Sequence, residues 1–249
     1  MRRRLMTLGL VALAVAAWQG AASLESVDDL TLASPVEVVE AFGDDGGLLL
    51  DNAWVTLVEV LLGLALSVAA GLVAAVSMHL MGALRDAAYP LLIASQAVPV
   101  VVLAPIFVLA FGYGIGPKLA IVALICFFPV TVNLLDGLRS VDRDLLRLMR
   151  SMGASRLQTL WKVELPASLP FLFSGMRIAA TVSVIGAVFG EWAGADEGLG
   201  RLVLLGLNQL QTPRVYAGIV LLAAMAVGLF ALVSLAERLA VPWKGEQTT

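Results

Sequence analysis

Side chains able to do acid–base, nucleophilic or metal chemistry are scarce in this 249-residue sequence. It contains one cysteine, Cys126, and one histidine, His79. A metal centre needs several such ligands, and a covalent catalyst needs a nucleophile beside a base, so we predict neither a metal site nor an enzyme. We interpret His79 as a polar residue at a membrane boundary. No Gly-x-x-x-x-Gly-Lys-Ser/Thr run occurs, so no nucleotide or other cofactor is expected on this chain.

A few polar residues inside apolar stretches are candidates for contact with a solute. Glu191 and Trp192 place a carboxylate beside an indole, which suits a cationic or amino-bearing ring. Trp192 is equally typical of an anchor at the membrane interface. Other residues could hydrogen-bond an aromatic heterocycle in a dry pathway, or simply bond a neighbouring helix. These are Gln96, Asn133, Thr181 and Ser183.

The composition places these residues in a membrane protein. Hydrophobic residues make up 60% of the chain and charged residues 14%, and the mean hydropathy is +0.93. Soluble domains are about 25% charged, so lipid must solvate much of this surface. Helices are expected because they satisfy their own backbone in lipid. We predict an all-α membrane protein with six transmembrane helices, at Leu5–Ala22, Thr56–Ser77, Tyr89–Phe111, Ile115–Leu135, Pro170–Gly190 and Val215–Leu235.

Charge distribution predicts the orientation and the division of the chain. Most of the 16 basic residues fall in the segments that are cytoplasmic if both termini are inside. The predicted units are a first transmembrane helix over 1–22, an acidic periplasmic segment over 23–52 and a five-helix core over 53–249. A cleaved signal peptide is the alternative for the first unit. The basic residues assigned to the inside are Arg2, Arg3, Arg4, Arg85, Arg139, Arg143, Arg147, Arg150, Arg156, Lys162, Arg238 and Lys244.

Deep within the predicted spans we expect no charged side chain. Glu59 falls within a predicted span, but Thr56-x-x-Glu59 has the pattern of a capping box, which predicts a helix start at the outer boundary. Ion-coupled transporters normally carry ionisable groups inside the membrane, so this argues against that class. Glycines within the spans predict close helix approach, and prolines predict kinks. The glycines are Gly63, Gly71, Gly175 and Gly186, and the prolines are Pro99, Pro105, Pro117 and Pro129.

The longest predicted cytoplasmic segment, 136–169, contains two short amphipathic helices. Arginines and leucines occupy different faces of the first, and Gly153 ends it. Ser155-x-x-Gln158 is a capping box that starts the second, and Pro166 is predicted to end it. The pair could rest on the membrane surface or dock a cytoplasmic partner, and the residues alone favour neither.

This segment resembles the signature loop of permease subunits in ATP-binding-cassette importers. The similarity is carried by Gly153, followed after nine residues by Val163 and then by the pair Leu165-Pro166. It implies that Asp144–Thr159 forms coupling helices seated in a groove of an ATP-binding subunit. The sequence has Arg-Leu-Met at 147–149 where the family has Glu-Ala-Ala. The residues implied in coupling are Asp144, Arg147, Arg150, Gly153, Ala154, Ser155, Leu165 and Pro166.

Four further stretches resemble the branch that imports nitrate, taurine, aliphatic sulfonates and vitamin precursors. They are TLVEVLLGLALSVAAG (56–71), QAVPVVVLAPIFVLAFGYGIGPK (96–118), FFPVTVNLLDGL (127–138) and GEWAGADEGLG (190–200). Phe-Phe-Pro-Val and Gly-Glu-Trp are most similar to permeases for pyrimidine precursors of thiamine. Sulfonate, taurine, nitrate and riboflavin remain alternative solutes, and Leu199–Gln211 is expected to form an interfacial helix or gate.

The resemblance also implies a fold, a location and partners. The fold would be that of a type I importer permease in a bacterial inner membrane, working by alternating access. The partners would be an ATP-binding subunit that holds ATP and Mg, an extracytoplasmic solute-binding protein and a second permease copy forming a homodimer. No nucleic acid is expected. An ion-coupled secondary transporter and an intramembrane enzyme or scaffold are the alternatives from other classes.

Overall fold

The computed structural model describes residues 2–24 and 31–243, and within these ranges the regular structure is helical. Glu25, Asp28 and Asp29 of the predicted acidic segment lie outside the described residues, as does Lys244. A π-helical turn, Leu160–Glu164, joins α8 to α9. The helices are α1 (Arg2–Ala22), α2 (Pro35–Asp44), α3 (Gly46–Leu80), α4 (Gly82–Ser95), α5 (Val100–Phe111), α6 (Ile115–Arg139), α7 (Arg143–Ser151), α8 (Arg156–Thr159), α9 (Leu165–Trp192), α10 (Leu199–Asn208) and α11 (Thr212–Ala240).

Four helical stretches among the described residues are long and apolar enough to cross a membrane: α3, α6, α11 and the continuous run Arg156–Trp192. Helices α4 and α5 meet at an angle of 104° and form a fifth span if they are counted together. The apolar part of α1, Gly9–Ala22, is shorter than these. The structure therefore has four or five spans by length and composition, where six were predicted, and the crossing by α1 stays a prediction.

Helix α3 begins ten residues before Thr56, so the predicted capping box at Thr56 and Glu59 is wrong. Apolar residues continue upstream of Thr56, and the helix extends through them to Gly46. Both Thr56 and Glu59 are buried inside α3. A four-residue pattern describes a helix start only where the preceding residues leave the helix, and here they do not.

The expectation that no charge lies within the spans is also wrong. Glu59 of α3 pairs with Lys118 in the first turn of α6, and both side chains are buried. Arg177 lies within α9 and pairs with Glu237 of α11. Each charge is matched by a partner on another helix, which is how ionised groups become tolerable in a low-dielectric environment.

Two prolines lie at irregular points of the bundle. Pro99 stands at the bend between α4 and α5, as its position predicted. Pro166 does not end the helix that precedes it, because the π-helical turn runs directly into α9 and Pro166 sits in the first turn of α9. The π-helical turn accommodates the missing backbone N–H of Pro166, so the helix continues where a stop was predicted.

The core forms where α6 packs between α3 and α9, and glycines set the distances. A Cβ built on Gly63 of α3 would lie 2.5 Å from the side chain of Val122 in α6. One built on Gly175 of α9 would lie 2.5 Å from the carbonyl oxygen of Pro129 in α6. The shortest corresponding distances are 2.8 Å at Gly71 and 3.1 Å at Gly186. The predicted close approach at these glycines is confirmed.

Gly175→Ala is expected to lower the unfolding temperature of the purified protein, because the backbone at Pro129 must move to admit the methyl group. Overpacking of this kind costs about 1–3 kcal/mol. The matched control is Gly228→Ala in α11, where nothing lies within 4 Å of the added Cβ. Equal unfolding temperatures for the two variants would contradict close α6–α9 packing.

Candidate functional site

The loop between α6 and α9 carries its first helix, α7, outside the bundle. No residue of α7 is buried. Its start is capped by the side chain of Asp142, which accepts from the backbone N–H of Asp144 at 2.8 Å. Asp144 also pairs with Arg147 across one turn at 2.8 Å, and both side chains are largely exposed. Leu145 and Leu148 are exposed as well. Helix α7 therefore presents charged and apolar side chains to its surroundings.

Gly153 makes the turn between α7 and α8. Its φ is +77°, in the left-handed region that glycine adopts without strain, and no atom lies within 4 Å of a Cβ built there. The N–H of Ala154 then donates to the carbonyl oxygen of Met149 at 3.0 Å. Ser155 starts α8 with the predicted capping box to Gln158. The glycine break and the second helix start are both confirmed.

The loop is fastened to the bundle at two points. Helix α8 runs through the π-helical turn into α9, where Leu165 and Pro166 are half-buried in the first turn. On the other side, His79 at the end of α3 lies 3.0 Å from the carboxylate of Glu164. Arg156 of α8 donates to the carbonyl oxygen of His79 at 3.1 Å. The predicted boundary residue His79 thus joins α3 to the loop, a role its sequence context did not reveal.

A cleft of about 540 Å³ opens between the loop and the end of α3. Its lining combines basic side chains with the buried carboxylate of Glu164. Arg150, one of the residues assigned to coupling, faces this cleft. The full lining is His79, Leu146, Arg150, Ala154, Arg156, Thr159 and Glu164.

At the opposite end of α9, Glu191 is fully buried and used in hydrogen bonds. Thr56 of α3 donates to one carboxylate oxygen at 2.6 Å, and the backbone N–H of Gly200 in α10 donates to the other at 2.5 Å. Trp192 donates through its indole N–H to the carbonyl oxygen of Gly200 at 2.9 Å. The structure therefore brings Glu191 and Trp192 together against α10, the short helix expected after them. Their contact with a solute stays a prediction.

The other four pathway candidates bond within their own helices or turns. Asn133 donates to the carbonyl oxygen of Pro129, and Thr181 to that of Arg177. Ser183 is buried and donates to the carbonyl oxygen of Ala180. Gln96 is exposed at the end of α4 beside Ser95. Within the described residues no hydrogen bond joins one of the four candidates to another, and their solute contacts remain predicted.

The described residues form an apolar helical bundle with an exposed two-helix loop on one side. The same fold occurs in the inward-facing structure of the MetNI methionine ABC transporter. The TM-score is 0.70 at 19% identity, covering 79% of this chain and 98% of that one. A family model described as "binding-protein-dependent transport system inner membrane component" matches residues 67–243. The chain belongs to this family.

Two relatives are similar over most of their length. The formylaminopyrimidine transport permease protein ThiX of Halalkalibacterium halodurans is 40% identical over 217 residues, 87% of each protein. The taurine transport system permease protein TauC of Escherichia coli is 31% identical over 256 residues, 98% of this chain and 92% of that protein. These relationships confirm the branch that the sequence motifs resembled.

Family membership makes this chain a multi-pass inner-membrane permease of an ATP-binding-cassette importer. Its relatives are permease subunits rather than enzymes, and ATP hydrolysis occurs on a separate subunit. A binding-protein-dependent system also includes a solute-binding protein. The buried charges remove the sequence-based argument against an ion-coupled transporter. Membership of the family shows instead that transport is driven by ATP.

Proposed function

We propose that this permease imports a hydroxymethylpyrimidine-type precursor of thiamine, driven by an ATP-binding subunit that docks on α7 and α8. The observation that supports the solute is the similarity to a formylaminopyrimidine permease over most of both chains. The alternatives are taurine, sulfonate, nitrate and riboflavin, because sister permeases share the same branch.

The contacts of the loop support its proposed role as the coupling element. Its exposed face is free for a partner, while its base is continuous with α9 and bonded to α3 through His79. A push on α7 and α8 is therefore delivered to two membrane helices at once. Closing of the ATP-binding subunits would move both helices and open the pathway toward the solute-binding protein.

The charged and apolar side chains of α7 indicate which groups a complementary groove on the ATP-binding subunit must contain. Arg147 and Arg150 stand on a helix that also exposes Leu148. A groove with carboxylates at its rim and an apolar floor would complement this surface. The bulky Arg-Leu-Met at 147–149 makes the match selective, because a groove shaped for small residues would clash.

The remaining parts of the assembly follow from the same proposal. ATP and Mg are bound by the partner subunit, and this chain carries no cofactor of its own. Two copies of the permease form a homodimer, so that the pathway lies between them. Gln96, Asn133, Thr181 and Ser183 stay candidates for lining that pathway.

Uptake of radiolabelled hydroxymethylpyrimidine by proteoliposomes containing the complete transporter tests the solute. We expect accumulation that requires ATP and the solute-binding protein and persists when the proton gradient is dissipated. Unlabelled hydroxymethylpyrimidine should compete, whereas taurine, an alkanesulfonate, nitrate and riboflavin should not. Competition by one of these instead would replace the solute while leaving the ATP-driven mechanism intact. Uptake that follows the proton gradient without ATP would contradict the mechanism itself.

A further inference from the structure

Helix α10 has its amino terminus capped entirely from other helices. The first backbone N–H groups of a helix have no partner within it and must find one elsewhere. Here the acceptors are the side chains of Asn52 and Thr56 in α3 and of Glu191 in α9. The four bonds are Gly198 N–H to Asn52 Oδ1 at 2.7 Å, Leu199 N–H to Thr56 Oγ1 at 2.8 Å, and Gly200 and Arg201 N–H to Glu191 Oε2 at 2.5 and 3.2 Å.

Glu191 lies at the centre of this cap. It is 0% exposed, and both of its oxygens accept hydrogen bonds. A carboxylate at a helix amino terminus is favoured by the helix dipole as well as by these donors. The backbone of α10 lies directly against it, because a Cβ built on Gly198 would stand 2.3 Å from its carboxyl carbon. Glycine at 198 is therefore required for this contact.

Buried charge surrounds the cap on the α6 side. Lys118 packs on Gly190, where a built Cβ would lie 3.0 Å from the Cα of Lys118. Its ammonium group is 2.5 Å from Glu59, and it attracts Glu191 electrostatically as well. Lys118 thus carries the positive charge that lies near both Glu59 and Glu191. This arrangement keeps the carboxylate of Glu191 in place beneath α10 without exposing it to lipid.

Helices α3 and α9, which bond to α10 at one end, are also the helices to which the α7–α8 loop is fastened at the opposite end. There, His79 of α3 contacts Glu164 of the π-helical turn that runs directly into α9. At the α10 end, α3 and α9 are joined by Thr56 and Glu191, with α10 bonded to both. Helices α3 and α9 are thus pinned to each other at both ends.

We propose that Glu191 is a positioning residue that locks α10 to α3 and α9, so that the three helices move as one body during transport. Movement delivered to α3 and α9 by the loop then displaces α10 at the opposite face. Helix α10 acts as a gate element carried by this body, and Glu191 acts through it rather than by touching the solute.

Thiol labelling of a cysteine on α10 tests the lock. Val203→Cys suits this purpose because Val203 is buried against Gly218 of α11 and cysteine is close to it in size. The only native cysteine, Cys126, is buried and can be replaced by alanine. In membranes holding the complete transporter, adding Glu191→Ala should raise the rate of maleimide labelling at position 203 about tenfold or more, because α10 loses its cap.

The controls separate a lock from general damage. Leu207→Cys on the exposed side of α10 should label rapidly with or without Glu191→Ala. Glu191→Gln keeps an acceptor oxygen for α10 and should restore slow labelling. Glu164→Ala removes the contact with His79 at the other end of α3 and should leave labelling at position 203 unchanged. If Glu191→Ala does not assemble, Thr56→Val removes the acceptor of the Leu199 N–H and the hydroxyl that donates to Glu191, and labelling at position 203 should again increase.

Two results would overturn the proposal. One is an assembled Glu191→Ala transporter, with its ATP-binding subunit still co-purifying, in which position 203 labels at the wild-type rate. The other is slow labelling in both Glu191→Ala and Glu191→Gln together with a raised half-saturating solute concentration for uptake. That second pattern is what direct contact between Glu191 and the solute would produce.

Discussion

A transporter carrying Lys118→Met is expected to unfold at a markedly lower temperature than the wild type. Lys118 is the cation beside Glu59 at 2.5 Å, and both side chains are buried within the bundle. Removing one partner of such a pair leaves an uncompensated buried charge, which costs about 3–5 kcal/mol. Thermal unfolding of the detergent-purified protein, followed by size-exclusion chromatography, measures the change.

The double variant Lys118→Met/Glu59→Gln should recover part of the lost stability, since a neutral amide replaces the unpaired carboxylate. Asp144→Asn is the matched control, because it breaks an exposed ion pair with Arg147. Exposed pairs contribute at most about 1 kcal/mol, so this control should unfold close to the wild-type temperature. Equal decreases in unfolding temperature for Lys118→Met and Asp144→Asn would mean that the buried Lys118–Glu59 pair contributes no more to stability than an exposed pair.

Glu59 shows why the sequence alone could not reveal this pair. Its partner is 59 residues away, and both residues lie near the ends of the spans predicted from the sequence, where charged residues are ordinary. The capping-box pattern offered a local explanation that the longer helix overturned. Only the packing of α3 on α6 places the two charges together, and packing partners are not encoded in a four-residue window. The apolar length of the segment upstream of Thr56 was the one available signal.

The α7–α8 loop, in contrast, could be predicted from nearby residues. A helix break at Gly153 and a capping box at Ser155 depend on backbone conformation and on bonds three residues apart. Such local rules hold regardless of what packs around them. The stop at Pro166 failed because a π-helical turn is a tertiary accommodation that the sequence pattern does not express.

Glu191 and Trp192 fall between these cases. Their types and position pointed to a functional place, and the structure brings both against α10. Their partners, however, include Thr56, which is 135 residues away. The sequence therefore indicated a functional role for Glu191 and Trp192, but it did not indicate which residues they contact. Buried polar groups find their hydrogen-bond partners through the tertiary fold, so their roles can be identified only once the fold is known.

Gly153→Val is expected to abolish co-purification of the ATP-binding subunit while leaving the permease itself intact in the membrane. A β-branched residue is strongly disfavoured at the φ of +77° found here. The strain must be relieved by changing the turn, which rotates α7 relative to α8 and separates the two halves of the proposed docking surface. No atom lies within 4 Å of the new Cβ, so the bundle has no steric reason to be disturbed. A pull-down from detergent-solubilised membranes with a tag on the carboxyl terminus measures the loss.

Gly153→Asn is the matched control, because asparagine tolerates the left-handed conformation far better than valine does. Its complex with the ATP-binding subunit should survive, and the size-exclusion profile of the permease should be the same for both variants. This comparison isolates the backbone angle, since both substitutions add a side chain at the same open position. If the ATP-binding subunit stays bound in Gly153→Val, the turn does not shape the docking surface and the coupling contact must lie elsewhere on the permease. If it is lost equally in both variants, bulk at position 153 rather than the geometry of the turn interferes, which places the partner directly against Gly153.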